Sequence, residues 1–288
     1  MSMTETFRRP LPDRALPAGN LATGALKLIA LAFMIIDHTG KVLCGNMYEM
    51  RVLGRIAYPL YVWCMIVGFS RTRSVPRYLF RLLLVGLLSQ PLYVLALDNQ
   101  RNVGLILQVL LAPLAEGFSL SGLWTVIYTI LKKPNIFLSL LIGLGALWGV
   151  REKKFYSHIW APALAVCLAT LLNADYGWRG IVFMLLLYAV QDTRPGIAAV
   201  MIAFFLFWGA SYSKTTSLFG VSTDLSSWPK FISDPLNALM RMETYALLSL
   251  PLILIRFPGD IRLPKWISYG VYPAHLVLLI LLKILIPV

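Results

Sequence analysis

Long runs of apolar residues, separated by short polar loops, recur along almost the whole chain. Several runs approach the length of about 20 residues that a membrane-spanning helix needs, and none alternates with the period of a barrel strand. Because backbone polar groups inside lipid must be satisfied within the chain, the runs are interpreted as helices. Nine spans are predicted, at about residues 22–45, 52–70, 77–97, 135–150, 157–173, 178–191, 196–212, 240–256 and 267–286.

The stretch from residue 98 to residue 134 fits this pattern least well. Its apolar pieces, Val103–Leu114 and Leu120–Leu131, are short for spans and predict a re-entrant or interfacial hairpin. The fold class predicted is therefore all-α, a polytopic helical membrane protein with about 9–10 transmembrane helices. Residues 22–288 are expected to form one multi-pass domain. Residues 1–21 are polar and proline-rich, without a cleavable signal pattern, and are expected to be a disordered cytoplasmic tail.

Composition and charge support the membrane interpretation. The 288 residues are 58% hydrophobic and 14% charged, too few charges for the surface of a soluble domain of this length. The net charge of +13 is explained by loop residues that orient the helices and meet anionic lipid head groups, so no nucleic-acid partner is predicted. The three cysteines are far apart, and neither a disulfide framework nor a metal site is predicted.

The positions of the basic residues predict the orientation in an inner or plasma membrane. They favour a cytoplasmic N-terminus, with the 71–77 and 151–156 loops inside. The 173–178 and 213–237 loops would then face outward, and the second of these could close over a site.

The first span carries ionisable residues inside an apolar run, in the string LKLIALAFMIIDHTGKVL. Lys27 and His38 are eleven positions apart, which places both on one helix face about 16 Å apart along the axis. Titratable residues at membrane depth indicate function by default, although Lys27 alone would also suit a helix end. Asp37 points about 100° away from His38 and is expected to pair with a cation of another helix, Arg55 or Arg81.

Other candidate residues lie at polar interruptions of the later spans. Arg55 begins the second span, and Ser89 and Gln90 precede Pro91 in the third. The outer turn NADYGWRG brings Asp175 and Tyr176, and the last span contains His275. Helix kinks are the simpler explanation for Pro91 and Pro273. Packing is an equal alternative for His275, and anchoring at the membrane interface is an equal alternative for Trp178.

Six strings in order, covering most of residues 25–285, resemble the TraX family of integral-membrane proteins. They are the segment from Lys27 to His38, LGRIAYPLY, RYLFRLLLVGLLSQPLY, NIFLSLLIGLGAL, ADYGWRG and YGVYPAHLVLL. The resemblance implies an acetyltransferase acting on the amino terminus of a conjugative pilin. It also implies kinship with the wider membrane acyltransferase superfamily, in which a basic residue and a histidine with ten residues between them recur in the first helix. The tail, the 98–134 stretch and the long outer loop depart from the family pattern.

These observations predict acyl transfer from acetyl-CoA, or another short acyl-CoA, to an amine or hydroxyl of a pilin-like peptide, another peptide or a glycan. His38 is predicted as the general base, with Asp37 beside it in the catalytic site. The predicted donor-binding residues are Lys27, Arg55 and Arg81, and the predicted acceptor-binding residues are Asp175, Tyr176, Gln90 and His275. Arg55, Arg81 and Gln90 are also candidate oxyanion donors.

No nucleophile motif is present, so direct transfer is favoured over an acyl-enzyme. Donor and acceptor are expected to approach from opposite sides, because His38 lies about three turns beyond Lys27. Two alternatives remain at this point. One is a transporter or channel whose charged residues line a pathway, and the other is a non-catalytic membrane scaffold.

Overall fold

The computed structural model describes residues 16–97, 111–112 and 120–286. Helices dominate these ranges, and a two-stranded hairpin is the one sheet within them. The elements are α1 (Thr23–Val42), α2 (Tyr48–Gly54), α3 (Ala57–Arg71), α4 (Val75–Leu97), α5 (Leu120–Leu131), α6 (Ile136–Arg151), α7 (Phe155–Leu171), α8 (Gly177–Ala189), α9 (Arg194–Gly209), β1 (Ser217–Leu218), β2 (Val221–Ser222), α10 (Lys230–Leu239), a 3-10 helix (Met242–Ser249), α11 (Leu250–Leu254) and α12 (Lys265–Leu285).

The expected class, a helical membrane protein, is confirmed. Three segments of the described chain are long and apolar enough to cross a membrane: Tyr48–Arg71, Val75–Leu97 and Trp266–Leu285. A fourth is added if α5 and α6, which meet at 77°, count as one broken span. Helix α1, with 20 residues, is not among these segments, and the other apolar helices have 10–17 residues, so for all of them a membrane-crossing role stays a prediction.

Helix bounds agree with the predicted spans to within a few residues, with two interruptions. The second predicted span is divided into α2 and α3 at Arg55 and Ile56, whose N–H groups bond three residues back rather than four. The eighth is divided into the 3-10 helix and α11, where Pro251 occupies the first turn. Proline is tolerated at that place because it has no N–H to contribute.

The turn between α5 and α6 is closed by polar side chains of α4. Gln90 donates from Nε2 to the carbonyls of Ile130 (2.6 Å) and Lys133 (3.0 Å) and accepts from the N–H of Asn135 (2.8 Å). Asn135 in turn donates from Nδ2 to the carbonyl of Gly86 (2.8 Å). Helix α5 coincides with the second piece of the predicted hairpin, Leu120–Leu131, and α6 with the span predicted after it. The first piece lies outside the described residues except for 111–112.

The end of the predicted tail is packed against the helices. Asn20 is fully buried, and its N–H donates to the carbonyl of Ile253 (2.6 Å). Its own carbonyl accepts from the indole Nε1 of buried Trp63 (2.7 Å). A buried indole N–H needs an acceptor, which explains why the chain is held here and why the expected disorder does not include this residue. Residues 1–15 of the predicted tail lie outside the described part.

Helix α1 lies between two groups of helices, with α2 and α3 on one side and α4 and α12 on the other. Helix α3 is the most buried of the long helices and also packs against α6, α8 and the 3-10 helix. The 213–237 segment, expected to be a loop, contains the hairpin and most of α10. It is fixed to α2 by a hydrogen bond between Tyr48 Oη and Thr215 Oγ1 (2.6 Å). This arrangement places one whole face of α1 inside the protein.

Candidate functional site

One face of α1 lines two adjoining cavities. Lys27, Leu31, Met34, His38 and Lys41 follow one another at helical spacings of three or four residues. The first three border an apolar cavity, and the last three border a polar one. The prediction that Lys27 and His38 share a helix face is confirmed.

The space between the walls of the polar cavity, including the part open to solvent, is about 860 Å³. Five predicted site residues meet in its wall, brought there by α1, by the break between α2 and α3, and by the turn before α8. They are Asp37, His38, Arg55, Asp175 and Tyr176. Other polar residues of the same wall, which the sequence had not indicated, are Lys41, Arg51, Lys133, Tyr212 and Glu243.

The apolar cavity lies between α1, α3, α4, α6 and α12, and the space between its walls, including the part open to solvent, is about 800 Å³. Lys27 is on its border, and its walls are otherwise mainly leucine, isoleucine and aromatic side chains. Met34, Tyr61, Ile136 and Tyr272 line both cavities and therefore separate the two. A path with apolar walls thus leads from the Lys27 end of α1 to the wall of the cavity that holds His38.

His38 forms a hydrogen bond with His275 of α12, Nδ1 to Nε2, at 2.8 Å. Nδ1 of His275 lies 3.3 Å from the carbonyl oxygen of Val271, which can only accept. His275 therefore carries its proton on Nδ1, and its Nε2 accepts from Nδ1–H of His38. In this tautomer His38 keeps the lone pair on Nε2, as a general base must. His275 is buried behind His38 and does not line the cavity, so it is placed to orient the base rather than to bind the acceptor.

An ion-pair network joins α1, the break between α2 and α3, and the 3-10 helix. Arg55 donates from Nη2 to Asp37 (3.2 Å), from Nη1 to Glu243 (2.9 Å) and from Nε to the carbonyl of Arg51. Arg51 also donates to Asp37 (3.1 Å). The predicted pairing of Asp37 with Arg55 is confirmed, whereas Arg81 is not a partner. Each guanidinium nitrogen of Arg55 makes one of these bonds, so three of its five N–H groups organise the wall, and its predicted roles in donor binding and as an oxyanion donor stay predictions.

Two predicted residues lie away from the polar cavity. Arg81 is on α4, three residues after Tyr78 of the apolar cavity, and donates from Nε to the carbonyl of Arg77 (3.1 Å). That placement is compatible with donor binding and excludes an oxyanion role beside His38. Gln90 uses its amide to close the α5–α6 turn, so its predicted roles as oxyanion donor and acceptor-binding residue are not supported.

The turn before α8 presents a carboxylate and a phenol to the cavity. Tyr176 adopts a left-handed backbone conformation (φ 66°) and stacks on Tyr58, with ring centroids 3.8 Å apart. The carboxylate of Asp175 has no hydrogen bond or ion pair within the described ranges, while its backbone carbonyl accepts from Ser139 Oγ. Trp178 is 38% exposed outside the cavity, with the guanidinium of Arg179 over its ring.

A family profile described as "TraX protein" matches residues 22–283, almost the entire chain. The chain belongs to the TraX family. It is also 36% identical over 72 residues to the "Probable fimbrial assembly protein FimC, serogroup H1" of Dichelobacter nodosus. That match spans 24% of this chain and 30% of the relative. No solved structure matches the chain.

Two glycines in the TraX-like strings allow the close contacts of the site. A Cβ at Gly54, in LGRIAYPLY, would lie 2.3 Å from Cβ of Asp37. A Cβ at Gly180, in ADYGWRG, would lie 2.5 Å from Oη of Tyr58. Both distances are too short for any side chain, so these positions hold α2 against α1 and α8 against α3. In this TraX-family protein the strings therefore converge on one cavity.

Proposed function

We propose that this protein is a membrane acyltransferase that moves an acetyl or other short acyl group from acyl-CoA to an amine or hydroxyl. The observation that carries the proposal is the pair of adjoining cavities, with His38 on the wall of the polar one and Lys27 at the border of the apolar one. Family membership and the partial likeness to a fimbrial assembly protein favour the amino terminus of a pilin-like peptide as the acceptor. Another peptide or a glycan would be accepted by the same chemistry.

The donor would occupy the apolar cavity. Lys27 and Arg81 lie on its border or in electrostatic range of it, and both suit the phosphates of coenzyme A. The apolar walls would enclose the pantetheine arm, whose thioester would then reach the boundary formed by Met34, Tyr61, Ile136 and Tyr272. Cytoplasmic acyl-CoA would enter at the Lys27 end, which corresponds to the cytoplasmic N-terminus expected from the basic loops.

The acceptor would enter the polar cavity, and His38 would act as the base. As the acceptor nitrogen forms its bond to the thioester carbon, Nε2 of His38 takes the proton that this nitrogen loses. The carbonyl becomes a tetrahedral oxyanion, the carbon–sulfur bond then breaks, and the leaving thiolate recovers the proton from His38. Asp175 would guide the amine toward His38 through its unpaired carboxylate.

Tyr272 is a further candidate oxyanion donor beside Arg55, and it takes the place of Arg81 and Gln90. It lines both cavities, and its buried Oη has no hydrogen-bond partner in the described part of the chain. A buried hydroxyl without a partner is costly, and an oxyanion at the boundary between the cavities would relieve that cost.

The test is an acyl-transfer assay with purified protein in lipid nanodiscs, comparing His38→Ala with His158→Ala. His158 is near the α6–α7 turn, outside both cavities, and serves as the matched control. We expect His38→Ala to lower kcat by about 10²-fold or more while acyl-CoA binding persists, and His158→Ala to be near normal. Near-normal turnover of a correctly folded His38→Ala protein would refute base catalysis. Ion-driven uptake into vesicles without acylation would instead support a transporter.

A further inference from the structure

The polar cavity contains more cationic groups than its own carboxylates can pair. Its cations are Lys41, Arg51, Arg55 and Lys133, and its carboxylates are Asp37, Asp175 and Glu243. The two arginines engage Asp37 and Glu243. Neither lysine has a carboxylate within 4.0 Å among residues 16–97, 111–112 and 120–286. Only Asp175 remains for both lysines, and it is not in ion-pair contact with either.

The two lysines border the same cavity from different elements. Lys41 lies one helical turn beyond His38 on α1 and is half-buried, and its ammonium is in electrostatic range of both Lys133 and Asp175. Lys133 is exposed at the mouth of the cavity, in the turn between α5 and α6. The backbone of that turn is fixed, because Gln90 donates to the Lys133 carbonyl (3.0 Å) and accepts from the N–H of Asn135 (2.8 Å). The backbone that carries Lys133 is therefore held beside the cavity by a hydrogen-bonded turn.

Two like charges facing one partly buried cavity repel each other, and desolvation adds to that cost. An anion between them would offset both terms through charge-assisted hydrogen bonds. We propose that Lys41 and Lys133 form an anion-binding subsite that receives a carboxylate or phosphate group of the acceptor. The part of this proposal that concerns the acceptor rests on the proposed acyl transfer. The acceptor class it names is an amine or hydroxyl compound with a negative charge close to the reacting group, its neutral amine or hydroxyl directed to Asp175 and His38 and its anion to the lysines.

Three synthetic peptides identical except at the second residue test this subsite. That residue is asparagine, aspartate or phosphoserine, which distinguishes a neutral acceptor, a carboxylate and a phosphate. The protein is assayed unchanged and as Lys41→Gln, Lys133→Gln and Lys132→Gln. Lys132 is the neighbouring, equally exposed lysine that does not line the cavity, so it is the matched control.

We expect the unchanged protein and Lys132→Gln to prefer at least one anionic peptide over the neutral one by about tenfold in kcat/KM. Lys41→Gln and Lys133→Gln should lose most of that preference while keeping their activity on the neutral peptide. Lys41→Arg should retain the preference, because it keeps the positive charge. That result would exclude misfolding as the reason why Lys41→Gln loses the preference. Equal use of all three peptides by the unchanged protein, or a preference that survives both substitutions, would overturn the proposal.

Binding measured without any acyl-CoA separates this inference from the proposed function. The same peptides are titrated into nanodisc-embedded protein by calorimetry. Tighter binding of the anionic peptides that requires Lys41 and Lys133 would support the subsite even if no acyl transfer occurs. Equal binding of the three peptides, together with efficient acylation of all of them, would refute the subsite and leave the acyltransferase proposal intact.

Discussion

The hydrogen bond between His38 and His275 gives the most detailed prediction. His275→Phe retains a ring of similar size in the same packing but removes the acceptor at 2.8 Å from Nδ1 of His38. His275→Gln retains an acceptor, because the amide oxygen can take the place of Nε2. The two substitutions therefore differ mainly in whether Nδ1–H of His38 has a partner. The reverse arrangement, with His275 donating, would direct a bare Nδ1 at the Val271 carbonyl oxygen, and two acceptors repel.

The expected magnitude follows from the loss of one neutral hydrogen bond inside the protein. Such a bond contributes about 0.5–1.5 kcal/mol net, and an unsatisfied buried donor costs about 1–3 kcal/mol. If loss of the hydrogen bond acts through poorer orientation of the base, kcat falls by about two- to tenfold in His275→Phe. If the cost of the unsatisfied donor acts on stability, the free energy of unfolding of His275→Phe is lower by about 1–3 kcal/mol. His275→Gln should lie close to the unchanged protein on both scales.

The measurement that isolates this effect is ¹⁵N nuclear magnetic resonance of the imidazole rings. The chain has three histidines, so a histidine-labelled sample shows three rings, and His158→Gln assigns one of them. We expect His38 and His275 both to carry their proton on Nδ1. In His275→Phe the His38 ring should lose this single tautomer, together with the fall in kcat, whereas KM for acyl-CoA should not change. A His38 ring protonated on Nε2 in the unchanged protein would refute the reasoning, whatever the activity.

Three further predictions concern the ion-pair network, the donor and the orientation. Glu243→Ala should lower the free energy of unfolding by up to about 3 kcal/mol, because buried Arg55 and its neighbour Arg51 are left to share Asp37 alone, whereas exposed Asp192→Ala should change it little; equal effects in calorimetry would contradict this. Lys27→Ala should raise KM for acyl-CoA more than KM for a thioester lacking the nucleotide, and an equal rise would exclude a phosphate contact. With the exposed native cysteines replaced, a membrane-impermeant reagent applied from outside should label a cysteine at Ser226 and spare one at Ser74; the reverse result would invert the orientation.

Helix positions were predictable because apolar run length and bilayer thickness are closely coupled. The breaks inside the second and eighth predicted spans were not predictable, because the sequence is apolar on both sides of each break. At Arg55 the helix is interrupted where one side chain meets Asp37, Glu243 and the carbonyl of Arg51 at once. Those contacts are tertiary, and no periodicity in the second span indicates them. Gln90 shows the opposite error, since a polar residue in an apolar helix predicted a ligand contact but closes a turn.

Within the candidate site, the parts visible in the sequence are those set by a single helix. The spacing on α1 predicted that Lys27 and His38 share a face, and the angle to Asp37 predicted a partner on another helix. The contacts of His275 and Glu243 could not be predicted, because their partners are far away in the chain: His38 is 237 residues from His275, and Arg55 is 188 residues from Glu243. Glu243 had one signal, a lone acid at the start of an apolar run, and Lys133 had none beyond its charge.

The charged residues of α1 can be accommodated in a membrane protein because the helix face that carries them is turned toward the protein interior. A charge facing lipid at this depth would cost several kcal/mol, roughly 2.5–3.5 kcal/mol by insertion scales. On α1 the charged positions instead border cavities or ion pairs, and the stripe changes from Lys27 through Leu31 and Met34 to His38 and Lys41. A helix that needed only to span would gain nothing from this order. A path that binds a charged group at one end and brings a reactive carbon to a base at the other needs three features in this order: a charge, an apolar surface and a base. The internal face of α1 has them in that order.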